Sequence, residues 1–117
     1  MAKDYLELSE LLSRVQESVE DAFPDRYWVK GEISSYSPRA NGHCYLALTE
    51  TVRGKKVAES RAIIWSWVYP QLKAFFERAS GQELRVGLSV LVQVTVHFSG
   101  QYGFTLYVDG APLEGTR

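Results

Sequence analysis

The chain has 117 residues, enough for one domain around one hydrophobic core. A composition that is 45% hydrophobic and 23% charged excludes a disordered polymer. A net charge of −1 excludes the strongly basic balance that would by itself announce a nucleic-acid partner, and the single cysteine, Cys44, excludes an internal disulfide or a cysteine-based zinc site.

The charge is not evenly spread. Asp4, Glu7, Glu10, Glu17, Glu20, Asp21 and Asp25 open the chain against only Lys3 and Arg14. From residue 26 onward 11 of the 13 Lys and Arg remain against 7 of the 14 acids, a local balance of +4. No apolar run reaches the length of a membrane span and no signal-peptide pattern opens the sequence, so a cytoplasmic protein without a membrane partner is expected.

The first element is a helix over about 8–23. Leu8, Leu11, Leu12, Val15, Val19, Ala22 and Phe23 recur at helical spacing, Ser9 or Ser13 is the expected cap, and Pro24 ends the run. A strand follows from about Tyr27 to Tyr36. Val29, Gly31 and Ile33 alternate with Trp28, Lys30 and Glu32, and Gly31 is the expected bend. Trp28, near the helix exit at Pro24, reads as structural. The loop Ser37–Gly42 turns tightly at Asn41-Gly42.

The second strand is His43–Thr49, with Cys44, Leu46 and Leu48 on one face; there Cys44 reads as a small buried hydrophobe. Arg53–Lys56 forms the next turn, whose cations are free to solvate or to meet phosphates. The third strand is about Ala58–Trp65, with Ala62 and Ile64 inward and Arg61, Ile63 and Trp65 outward. A second helix starts near Val68 or Tyr69, because Pro70 is tolerated only in a first turn, and Gly81 stops it. Val90, Val92, Val94, Val96 and Phe98 alternate along a fourth strand, 89–98. After the turn at 99–103, a fifth strand, 104–109, points Phe104, Leu106 and Val108 inward, and a tail leaves from Gly110.

Helix, three strands, helix, two strands is the order of a five-stranded oligonucleotide/oligosaccharide-binding (OB) barrel, an all-β fold with helices, spanning about 27–110 in a single domain over 1–117. Such barrels bind on strands two and three and on the loops joining strands one–two and four–five. Here that surface holds His43, Tyr45, Arg61, Ile63 and Trp65, with Tyr36, Arg39, Asn41, Gln101 and Tyr102 in the loops. Tyr45 and Trp65 suit base stacking, Tyr102 joins the nucleic-acid-binding set from its loop, and Arg61, Arg39 and Lys30 suit phosphates. His43 follows the tight turn and is placed to donate to a backbone carbonyl or to a ligand. Neither His43 nor His97 has a serine or carboxylate at a triad spacing. The acids are too scattered for a metal cluster, and no phosphate loop is present. No catalytic residue, metal or cofactor is therefore expected in this chain.

Two motifs are more specific. Trp28-x-x-Gly31-Glu32-Ile33-Ser34 and Gly42-His43-x-Tyr45 resemble the N-terminal domain of the exodeoxyribonuclease VII large subunit family. Leu8-Ser9-Glu10-Leu11 and the Pro112-x-x-Gly115 exit are similar to the same pattern. The chain departs from it at Leu48-Thr49-Glu50, where that family has Leu-Lys-Asp, and at Trp65-Ser66, where it has Phe-Arg. The resemblance implies a single-stranded DNA-binding module that presents strands to a downstream nuclease region lying outside this chain. It also implies a parent enzyme that hydrolyses single-stranded DNA together with a small subunit bound through other regions. A barrel for RNA or transfer RNA is one alternative. A protein-interaction module that uses the same aromatic face, self-association included, is another.

Overall fold

The computed structural model describes residues 4–110. The expected tail and the Pro112-x-x-Gly115 exit lie outside the described residues. In chain order the elements are α1 (Leu8–Ala22), β1 (Arg26–Pro38), β2 (Cys44–Val52), β3 (Lys55–Ile64), α2 (Tyr69–Ser80), β4 (Ser89–Ser99) and β5 (Gly103–Gly110). The strands close into one barrel in the order β1-β2-β3-β5-β4. Every pairing is antiparallel except β3 with β5, which is parallel and short, joining only Ala62 to Leu106 and Ile63 to Tyr107. This is the expected OB barrel with a helix before it and a helix between β3 and β4.

Strand alternation builds the interior. Ile33, Leu46, Leu48, Ala62, Ile64, Val90, Val92, Val94 and Val108 all point inward and are buried. Leu72 and Phe76 from α2 join the same core, so this helix plugs the barrel along one face. Pro70 sits in the first turn of α2, where its missing N–H removes no helical bond, and Gly81 ends the helix in the left-handed conformation at φ 73°.

β1 serves two neighbours. Its first half pairs with β4 and its second half with β2, and Glu32 pairs on both sides, with Thr49 and with Ser89. The strand adjusts at Ser34, where the register with β2 shifts between Ile33 and Ser35, and not at Gly31. At Gly31 a Cβ would lie 3.5 Å from Leu48 Cβ and from the Thr49 carbonyl oxygen, an ordinary van der Waals contact.

Four local expectations are revised. The N-terminus of α1 is capped by Glu7 and Glu10, not by Ser9 or Ser13; the Glu10 carboxylate folds back to accept the Glu7 N–H at 3.1 Å. The second turn shrinks to Arg53-Gly54, both at positive φ, which is a two-residue hairpin turn, and Lys55 and Lys56 begin β3. Phe104 is 55% exposed, because it lies beyond Leu106, where β5 last meets β3; it packs edge-on against Phe98 at 5.0 Å. Tyr27, rather than Trp28, meets the helix exit, edge-on to Phe23; Trp28 faces outward opposite Gln93. α1 itself packs on β4, with Leu12 beside Gly100, yet none of its residues is buried.

Cys44 is fully buried, as its place in the alternation requires. The hydroxyls of Tyr36 and Tyr69 hydrogen-bond to each other beside it. Burial pushes the Cys44 thiol up to about 11, although contacts with Tyr69 and the Ser37 backbone act the other way. Burial also raises Tyr69, and its contacts with Tyr36 and Cys44 add to the rise.

Two outcomes test this interior. Val94 is 1% exposed, so Val94→Asp buries an unpaired carboxylate at a cost of several kcal/mol. That is comparable with the roughly 5–15 kcal/mol of a whole domain; a thermal melt of the variant that matches the parent would contradict the register of β4. The second concerns pH. The folded chain holds the Cys44 proton more tightly than the unfolded chain, whose thiol titrates near 9.0. This contribution to stability is complete below pH 9 and is lost as pH climbs through about 11. Urea midpoints measured across that window should fall, and Cys44→Ala should flatten the fall.

Candidate nucleic-acid interface

On β2 and β3 the residues that do not face the core share the outer side. Tyr45 pairs with Ile63 and Ala47 with Arg61, and Trp65 follows directly after β3 ends at Ile64. β5, hydrogen-bonded to β3, brings Tyr107 beside Ile63. The turn between β4 and β5 rises over this surface with Tyr102, which is 67% exposed. Tyr102 is fixed through its backbone: its N–H donates to Ser99 Oγ at 2.9 Å. The result is a cleft of about 440 Å³ bounded by Tyr45, Ile63, Trp65, His97, Tyr102 and Tyr107, with Ser99, Gly103 and Thr105. Its size falls within the ~300–1,000 Å³ of small-molecule pockets.

The aromatic rings are interlocked. Trp65 stacks on Trp67, with planes 3° apart and centroids at 5.5 Å. His43 meets Trp65 edge-on at 4.9 Å, and Tyr107 does so at 5.1 Å. Tyr107 in turn stacks on His97 at 3.6 Å. The His97 Nε2 lies 2.8 Å from Thr95 Oγ1. Burial lowers the pKa of His97, against a smaller pull from Glu20, so the imidazole is neutral at neutral pH and adds a ring to the cleft, not a charge.

Trp65, Tyr45 and Tyr102 therefore come together as the sequence suggests. Arg61 joins them at the rim, its guanidinium beside the β4–β5 turn; a Cβ at Gly103 would lie 3.9 Å from Nη2. Arg39 reaches over from the first loop and covers the Tyr45 ring, its guanidinium carbon 4.9 Å from the centroid. One face of Tyr45 is thus already occupied by a cation.

His43 is placed differently from expectation. Its Nδ1 accepts the Ser66 N–H at 2.9 Å, so the ring proton sits on Nε2 and the residue acts as an anchor for the Trp65-Ser66-Trp67 segment. The tight turn before it allows this. Gly42 lies at φ 93°, and a Cβ there would be 2.9 Å from Ser66 Cβ. The Asn41 side chain holds the same turn by accepting the His43 N–H at 3.0 Å.

Two expected members lie elsewhere. Lys30 does not border the cleft; it lines separate hollows with Glu32 and Glu50 and with Glu59. Tyr36 points inward to Tyr69. Three rings missed in the sequence, Trp67, His97 and Tyr107, complete the arrangement. Trp65-x-Trp67 continues the alternation past the strand end, and that spacing was the available signal. Among the described residues no three His, Cys, Asp or Glu side chains converge as a metal site. No helix among them is long and apolar enough to cross a membrane. Chemically the surface can stack flat rings and place guanidinium groups at their margins.

Residues 6–111 match the family described as OB-fold nucleic acid binding domain. The chain is 38% identical, over 91% of its length, to an exodeoxyribonuclease 7 large subunit from Deinococcus radiodurans. It is 32% identical, over 69% of its length, to a protein of the same name from Salinibacter ruber. It spans 26% and 18% of those two proteins. Among solved structures, a mitochondrial single-stranded DNA binding protein from S. cerevisiae, Rim1, is similar with a TM-score of 0.48 at 17% identity, covering 81% of this chain and 97% of that one.

The anchoring role of His43 has a direct test. His43→Ala leaves the half-buried Ser66 N–H without its acceptor, at a cost of about 1 kcal/mol. It should also weaken the circular-dichroism band that a coupled tryptophan pair produces. An unchanged spectrum and melting point would show that Trp65 and Trp67 are held by other contacts.

Proposed function

The chain belongs to the OB-fold nucleic acid binding domain family, and we propose that it is the single-stranded DNA-binding module of an exodeoxyribonuclease VII large subunit. The observation that carries this reading is the cleft itself. Trp65, Tyr45 and Tyr102 offer ring faces and edges, and Arg61 and Arg39 stand beside them. Every nucleobase has a flat apolar face, so such a surface binds unpaired strands with little regard to sequence. Paired bases are stacked within a duplex and cannot enter it.

In this reading the module captures an unpaired strand and presents it to a nuclease region of the parent protein. The parent, working in the cytoplasm with its small subunit, hydrolyses single-stranded DNA; the module itself contributes grip and no cofactor. Binding has two parts. Stacking on the rings is insensitive to salt, whereas each phosphate met by a cation releases counterions and makes affinity fall with salt.

The two parts separate in a titration of a fluorescent single-stranded oligonucleotide at two salt concentrations. Trp65→Ala should weaken binding by ~1–3 kcal/mol at both. Arg61→Ala should weaken it mainly at low salt and reduce the slope of log affinity against log salt by about 0.7, one phosphate's share for a single strand. If neither variant changes binding, strand β3 does not face nucleic acid. A salt-independent self-association through Trp65 would make the face a protein interface. Tighter binding of an RNA of the same sequence would make RNA the ligand.

A further inference from the structure

The Trp65–Trp67 pair is a short column whose two ends differ in exposure. Trp65 is half-buried, boxed by the edges of His43 and Tyr107. Trp67 is 70% exposed. Besides Trp65, its ring neighbour among the described residues is His43, edge-on at 6.1 Å. One face of the Trp67 indole is thus covered by Trp65 and the other is open to solvent. The backbone between the two rings is pinned by the Ser66 bond to His43, so the open face is set before any ligand arrives.

We propose that the open face of Trp67 seats the terminal base of a single strand, so that this module prefers strand ends to strand interiors. The proposal rests on the single-strand reading above and specifies which part of the strand is held. A base laid on Trp67 has indole on the side where its neighbour in the strand would stack. An interior base must give up that neighbour to be seated, which offsets part of the gain from the new stack. A terminal base has no neighbour on that side and gives up nothing. The gain is not ionic and therefore persists at high salt, while the phosphate contact of Arg61 serves ends and interiors alike.

The experiment uses this chain, a linear single-stranded oligonucleotide with an internal fluorophore, and a covalently closed circle of the same sequence. The parent should bind the linear form at least about fivefold more tightly, the equivalent of ~1 kcal/mol at the lower end of one base–aromatic stack, at both low and high salt. Trp67→Ala should weaken binding of the linear form more than that of the circle and bring the two affinities together. Trp67→Phe should keep part of the difference. The exposure of Trp67 makes the alanine variant safe for folding, which its melting curve checks. Removing the base from the first nucleotide, and separately from the last, should abolish the advantage at one end only and so identify that end. Equal binding of linear and circular forms by the parent overturns the proposal. So does an advantage that survives Trp67→Ala, or a loss by that variant that is equal for both forms. If the parent binds neither form, the single-strand reading falls with it.

Discussion

Glu32 pairs on both sides of its strand, with Thr49 of β2 and with Ser89 of β4. Everything else in the barrel depends on that double engagement. A strand that belongs to two sheets must turn between them, and the extra residue at Ser34 allows the turn while Ile33 stays in the core. Once β1 has turned, β2 and β3 are carried across the barrel from β4. β5 can then bridge the remaining gap. The outer surface of β2 and β3 becomes a platform flanked by the two loops that hold Arg39 and Tyr102.

The candidate surface follows from this with few charges. Its floor is aromatic, and its two arginines stand at the margin, one beside the β4–β5 turn and one over Tyr45. The net charge of −1 is compatible with such a surface, because flat rings can contribute to binding without charge. Half of the acidic residues lie on or next to α1, which packs on β4.

Much of the fold was legible because it is written in local periodicity. The valines of β4 announce their own inward face, and Pro70 and Gly81 bracket α2. What was not legible depends on distance in sequence or on where the barrel ends. Alternation tells which way Phe104 points, but not that the core stops short of it. Gly31 looked like a bend because a glycine can bend, whereas the register of β1 shifts three residues later, at Ser34. The aromatic platform was half visible. Tyr45, Trp65 and Tyr102 lie where the element order puts them. The anchoring of Trp65 by His43 depends on a hydrogen bond between residues 23 apart, and no spacing rule reports it. Lys30 shows the opposite limit: a cation on an outward face of β1 is not thereby on the same side of a closed barrel as an arginine on β3.

The parallel seam between β3 and β5 joins two pairs of residues that lie far apart in the chain. The other ladders are longer. The β2–β3 and β4–β5 hairpins can each form from neighbouring segments, at small loop-closure cost, before the ends of the sheet meet. Closure needs both hairpins, as the clasp of a bracelet needs both ends of the chain. Ile63 and Tyr107 face each other across that clasp, and both belong to the aromatic cleft. The cleft therefore exists only in the completed ring: without the seam its floor would be divided between two hairpins.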